Sequence, residues 1–178
     1  MRISTIGALL CLASTVTVAR PALGQGAPLR DGFWANAASG GGTMGCTTCT
    51  ERATGPIGTL IIGGHMGDMF LMGAGVTGWT TSEYGTTSVV LLQMVARLYV
   101  AKQSGLYFAL GGGLGVVGDA LSSFGDGSEI GAGGLFGMGY DLRVGGNFSL
   151  TPFWSIIAVK TENADVNVIH AGLGITIH

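Results

Sequence analysis

Between Thr87 and Asp119, apolar and non-apolar residues alternate one by one in two successive stretches. In the first, Ser88, Val90, Leu92, Met94, Ala96, Leu98 and Val100 make one set, with Gln93, Arg97 and Tyr99 in the other. After Lys102-Gln103-Ser104, Leu106, Phe108, Leu110, Leu114 and Val116 interleave with Gly111, Gly113 and Gly115. A period of two places each set on its own side of a pleated strand. The pattern recurs: Phe70, Met72, Ala74 and Val76 alternate with Gly73, Gly75 and Thr77. Further on, Ile130, Ala132, Phe136, Met138 and Tyr140 are out of phase with Glu129, Asp141 and Arg143. At the end, Ile169, Ala171, Leu173, Ile175 and Ile177 alternate with His170, Gly172, Gly174 and Thr176. In a soluble sheet the apolar side meets a second apolar layer. Here the opposite side is glycine and scattered polar groups, the pattern of strands whose apolar side meets lipid.

Eight strand candidates follow along the chain, near 30–39, 56–64, 69–80, 87–101, 105–118, 129–143, 148–160 and 166–178. Short connections at His65–Asp68, Lys102–Ser104 and Val144–Asn147 alternate with mostly longer polar ones at 40–55, 81–86, 119–128 and 161–165. Short turns on one side and longer loops on the other match an all-β, antiparallel, up-and-down transmembrane β-barrel of eight strands, with both termini on the periplasmic side. Only helices and closed barrels pair every backbone group in lipid. A spanning helix needs about 20 apolar residues, and Gln93 and Arg97 cut the longest apolar run, Val89 to Ala101.

Composition sharpens this. Of 178 residues 34 are glycine and only 10% are charged, and the mean hydropathy is +0.52; a soluble domain carries about 25% charged residues. The interior of an eight-stranded barrel is just wide enough to be filled by side chains, so abundant inward glycine relieves collisions. Arg97, the one charge deep within a strand, has inward parity. A cation facing lipid at the bilayer midplane costs about 2–4 kcal/mol, so an inward acid, Glu129 or Asp141, is its expected partner. The net charge of −2 and the lack of a basic stripe argue against nucleic acid as a partner.

Met1-Arg2 followed by the apolar run Ile6–Val18 has the form of a secretory signal, with small residues at Ala22 and Gly24 before a cut preceding Gln25. Residues 1–24 are therefore read as a signal peptide and 25–178 as the barrel domain. Cys11 leaves with the signal, so the mature chain keeps Cys46 and Cys49.

Several motifs are similar to those of bacterial outer-membrane β-barrel domain proteins, the small OmpA/OmpX-type barrels. They are Gly32-Phe33-Trp34, the Gly45-Cys46-Thr47-Thr48-Cys49 loop, the Leu106-Tyr107-Phe108 strand, the hairpin from Gly139 to Phe153, and the closing Gly172-Leu173-Gly174-Ile175-Thr176-Ile177-His178. The resemblance spans essentially Arg30 to His178. It implies the outer membrane as compartment, and outer-membrane lipid and the assembly machinery as partners, but no shared activity.

Chemistry is sparse. Cys46 and Cys49 form a C-x-x-C, which alone reads as a redox pair, half a zinc site or a local disulfide; export favours the disulfide. The lumenal polar set is Gln93, Arg97, Glu129, Asp141, Arg143 and His170. These could suggest acid–base chemistry, but charges in a narrow barrel pair with each other, so no catalytic, cofactor or metal site is expected. Asp119, Asp126 and Glu129 read as a solvated acidic loop rather than a calcium site. Trp34, Trp79, Tyr99, Tyr107, Tyr140 and Trp154 fall mostly near strand ends and are expected as interfacial anchors. The leading expectation is a monomeric barrel with a filled interior and a structural or surface-interaction role. A narrow channel or carrier for small hydrophobic molecules and a lipid-modifying enzyme are the alternatives.

Overall fold

A computed structural model describes residues 32–47, 49–83, 87–119 and 128–178. The expected signal segment, Asp126 and the side chain of Asp119 lie outside the described residues. The elements are β1 (Phe33–Cys46), β2 (Ala53–His65), β3 (Phe70–Thr81), β4 (Thr87–Tyr99), β5 (Leu106–Asp119), β6 (Glu129–Tyr140), β7 (Leu142–Gly145), β8 (Phe148–Lys160) and β9 (Asp165–Ile177). Each pairs antiparallel with its neighbours, and β1 closes onto β9 from Ala35↔Ile177 to Cys46↔Val166. Both β6 and β7 pair with β8. They are two pieces of one stave interrupted at Asp141, whose N–H donates to Gly105 O at 2.9 Å. The result is a closed eight-stranded barrel with no exposed sheet edge.

The alternation holds along most of the wall. Leu60, Ile62, Leu92, Met94, Leu98, Phe108, Leu110, Leu114, Ile130, Phe136, Leu173 and Ile175 are exposed on the outer wall, while Gln93, Arg97, Thr77, His170 and Thr176 are buried inside. Ser88 on β4 and Val116 on β5 have outward parity yet are buried. The lumen divides along its length. Trp79, Val89, Leu91, Ile157, Val159 and Val168 pack toward the long-loop end, and the polar groups gather toward the short-turn end.

One boundary differs from expectation. The first strand was expected to stop near Ser39 and the second to begin near Pro56, but β1 runs to Cys46 and β2 starts at Ala53. The run Gly40-Gly41-Gly42 is therefore strand: Gly40 pairs with Ile57 on one side and Gly172 on the other. Glycine is a weak strand former, but a Cβ at Gly40 would overlap Ala171 O, and one at Gly42 would lie 2.7 Å from His170 Cβ. Close approach of β1 to β9 excludes larger side chains there, and the two ladders hold the segment extended.

The turn end is tied in two places. Gly146, at φ +47°, adopts the left-handed conformation that ends β7. Between the other two turns, Lys102 Nζ forms an ion pair with Asp68. That hydrogen bond and charge hold Asp68 below, and Lys102 above, their ordinary pKa values.

The crowding makes glycines unequal. Gly113→Ala, whose Cβ would overlap Leu92 O, is expected to destabilise the barrel by about 1–3 kcal/mol. Gly78→Ala, where a Cβ meets nothing within 4 Å, is expected to stay within about 0.5 kcal/mol. Urea unfolding in detergent checks both; equal effects would contradict the inward assignment of Gly113.

Candidate functional site

The richest polar constellation lies in the turn half of the lumen. Asp141 is 8% exposed and its carboxylate accepts from Tyr99 OH at 2.5 Å, Thr151 Oγ1 at 2.7 Å and His178 Nε2 at 3.3 Å. Thr151 also shares a hydrogen bond with Thr176 at 2.8 Å, and Asn36 Nδ2 donates to Thr176 Oγ1 at 2.9 Å. Strand parity converges these groups: each is an inward position on β1, β4, β8 or β9, the residue just after β9, or the junction between β6 and β7.

Arg97 does not make the expected ion pair. Among the described residues no carboxylate lies within 4.0 Å of it. Its guanidinium is instead sandwiched between Trp34 at 4.5 Å and Tyr107 at 4.6 Å. Glu129 could not have reached it. Ala109 pairs with Arg97 and Val117 with Glu129, and that separation along β5 is about 27 Å at ~3.4 Å per residue. Asp141 is nearer, but its oxygens are committed to Tyr99, Thr151 and His178. Stacking on two rings is worth about 0.5–2 kcal/mol per ring depending on desolvation, which offsets part of the cost of a buried cation whose Nε and Nη1 have no hydrogen-bond partner among the described residues.

The remaining lumenal candidates are dispersed. Gln93 Nε2 donates to Thr77 Oγ1 at 2.8 Å. Glu129 sits at the long-loop rim, accepting from Thr161 Oγ1 at 2.5 Å and Asn163 Nδ2 at 2.8 Å, and so staples the β8–β9 loop. Arg143 keeps inward parity but lies at the opposite rim, with Nε donating to Gly146 O at 3.0 Å. His170 Nε2 and Ser155 Oγ are 2.6 Å apart, and Phe153 packs edge-on against the imidazole. A serine–histidine contact has the form of a nucleophile and base. The cavity beside Ser155 and Arg97 measures only about 40 Å³. A water needs roughly 10–15 Å³, whereas ligand pockets run about 300–1,000 Å³. The space admits a few waters and no acyl or glycosyl substrate.

Four of the expected aromatic anchors are lumenal. Trp34, Trp79, Tyr99 and Tyr107 are at most 3% exposed, whereas Tyr140 and Trp154 face outward. Trp34 Nε1 donates to Met72 O at 3.2 Å and Trp79 Nε1 to Gly42 O at 3.1 Å. Their rings occupy space vacated by glycine: a Cβ at Gly63 would lie 2.7 Å from Trp34 Nε1, and one at Gly55 3.3 Å from the Trp79 ring. The available signal was parity, since Trp34 is in phase with Asn36 and Trp79 with Thr77.

Cys46 and Cys49 are joined by a disulfide, with Cα atoms 5.0 Å apart, at the tip of the β1–β2 hairpin. The turn is braced independently, as Cys49 N–H donates to Cys46 O at 3.2 Å. Among the described residues no group of three His, Cys, Asp or Glu side chains is placed to hold a metal ion.

No protein-family model matches the sequence, and no curated protein matches it. Solved structures do match the fold. Neisserial surface protein A superposes with a TM-score of 0.60 at 17% identity, over 82% of this chain and 96% of that one. Ail, the attachment invasion locus protein of Yersinia pestis, superposes with a TM-score of 0.57 at 14% identity, over 83% of this chain and 99% of that one. The fold is that of the small eight-stranded outer-membrane β-barrels.

Arg97→Lys keeps the charge but loses the planar group that stacks on two rings. It is expected to lower stability by about 1–2 kcal/mol; an unchanged urea midpoint in detergent would contradict the sandwich. A disulfide closing so short a loop adds at most about 2 kcal/mol in the chain-entropy account. Serine at both cysteines should therefore leave folding intact while raising protease cleavage within 47–52. Two free thiols in oxidised protein, found by alkylation and mass spectrometry, would rule the bridge out.

Proposed function

We propose that the protein is a monomeric outer-membrane barrel with a closed interior, acting as a structural or surface-interaction protein through its long-loop end. The observation that carries this is the packing of the lumen. Trp79, Leu91, Ile157, Val159 and Val168 are at most 2% exposed and fill its long-loop half. An apolar plug of that kind argues against a conduit for ions or small molecules, and the confined space at Ser155 argues against catalysis on lipid. What remains for chemistry is the surface.

The outer wall supplies the membrane argument. Its exposed residues include Leu60, Ile62, Leu92, Met94, Leu98, Leu110, Leu114, Phe136, Leu173 and Ile175, a belt far larger than the few hundred Å² of contiguous apolar surface a soluble monomer exposes. Outer-membrane lipid is the partner that fits it, and barrel assembly machinery the route by which it is inserted. The start of β1 and end of β9 share the short-turn end, where His178 N–H donates to Asn147 O at 2.9 Å; in outer-membrane barrels that end is periplasmic. The names of the two structural neighbours, a surface protein and an attachment protein, are in keeping with a role at the opposite end.

The mature protein should fractionate with outer membrane and migrate faster on gels when unheated than when boiled. Recovery as a soluble monomer without detergent would sink the membrane reading.

A further inference from the structure

Most glycines in this wall are explained by crowding, but several on its outside are not, and three of these cluster around β1 to β3. A Cβ at inward Gly40, Gly113 or Gly172 would overlap a backbone oxygen of the next strand, whereas one at Gly41, Gly58 or Gly78 meets nothing within 4 Å. Those three are outward positions, and Gly58 pairs with Gly78 and with Ser39. The outward positions of β1 are small throughout its middle: Ala35, Ala37, Ser39 and Gly41. Flanking strands carry large ones, Leu60 and Ile62 on β2 and Ile169, Leu173 and Ile175 on β9. The result is a shallow surface groove whose lining includes Ala37, Ser39, Gly58, Leu60, Leu173 and Ile175. Closing the barrel does not demand it.

At the long-loop end of the same column lies a preorganised cation. Arg52 is exposed and lies along the wall. Its Nε donates to Thr43 Oγ1 at 3.0 Å, Nη2 to Thr43 O at 2.6 Å, and Nη1 to Asn167 Oδ1 at 2.9 Å. Nη2 also reaches Asn167 O at 3.4 Å. A guanidinium has five N–H donors, so one N–H and the whole charge remain for a ligand. Among the described residues no carboxylate lies within 4.0 Å of Arg52; Asp165 faces Lys160 at 3.6 Å and Glu83 accepts from Thr54 N–H at 2.9 Å. Gly45 lets the side chain lie flat, because a Cβ there would overlap Nη1. Thr43 lies four residues from Ser39 along β1, about 13 Å, so a headgroup at Arg52 would sit directly above the groove.

We infer that this face binds a phosphorylated lipid, with a phosphate oxygen on the Arg52 guanidinium and one acyl chain in the groove over β1. The inference rests on the membrane reading above. A charge-assisted bond to a fixed guanidinium supplies the headgroup preference, and the small floor along Ala37, Ser39 and Gly58 supplies the space for the chain.

Trp154 allows a direct test. It faces outward at 37% exposure while Trp34 and Trp79 are buried in the lumen, and it pairs with Ala171, which pairs with Gly41. A brominated acyl chain in the groove would quench it. The full barrel is placed in phosphatidylcholine vesicles containing a small fraction of dibromoacyl phosphatidic acid or of dibromoacyl phosphatidylcholine. Brominated phosphatidic acid should quench severalfold more per mole. Arg52→Gln should bring the two lipids to parity, and Gly58→Leu should weaken the phosphatidic acid effect; heat-modifiable migration confirms that both variants fold. Equal quenching by the two lipids in the wild type, or a preference unchanged in Arg52→Gln, overturns the site and leaves the membrane reading standing. No quenching by either lipid overturns both. Dimers cross-linked through Ser39→Cys would give the groove to a second copy and overturn the lipid assignment.

Discussion

A narrow barrel in lipid has to satisfy two demands at once: every backbone N–H and C=O must find a partner across a strand, and everything inward must fit in a lumen about as wide as its own side chains. The β1–β9 ladder, continuous from Ala35↔Ile177 to Cys46↔Val166, meets the first. It does so only because inward glycines on β1 and β9 let the two backbones approach. The second demand sets the rest of the interior. Trp34 stands over Gly63 and Gly73, Trp79 beside Gly55, and Tyr107 against Gly139, so large rings fill what small residues leave. Side-chain alternation of this kind is how small barrels are packed.

The same constraint explains how a charge survives there. Three donors surround Asp141, and the flat faces of two aromatic rings flank Arg97. A direct salt bridge would have needed both groups at one level of the barrel. The register puts Glu129 at the far rim, and three other donors already engage Asp141. Arg97 uses the filler of the lumen, aromatic rings, as its solvent.

Much of this was legible in the chain. Residue-by-residue alternation in β4, β5 and β9 assigned inside and outside correctly at most positions, Ser88 and Val116 being buried despite outward parity. What stayed hidden depended on neighbours distant in sequence. Gly40-Gly41-Gly42 looked like a loop, since local propensity cannot register the two ladders that hold it. Trp34 and Trp79 were assigned to the membrane interface by residue type, although their parity with Asn36 and Thr77 pointed inward. The partners of Arg97 come from β1 and β5 on either side of it, set by the stagger of the closed sheet. No window of sequence around position 97 contains that information.

Glycine has two meanings in this wall, and composition cannot separate them. Inward, at Gly40, Gly113 or Gly172, its absent side chain is a condition of closure, and any Cβ would strike backbone. Outward, at Gly41, Gly58 and Gly78, the space beyond is open and a larger apolar residue would fit. Large apolar residues occupy other outward positions, as Leu92, Leu110 and Leu114 do. A bare column bordered by Leu60, Leu173 and Ile175 is therefore a shape the fold did not impose. Arg52, fixed at its upper end by Thr43 and Asn167, gives that shape a polarity. Only the register of β1 against β2 and β9 brings the two features into line, joining a cation in the first loop to a groove in the middle of the wall.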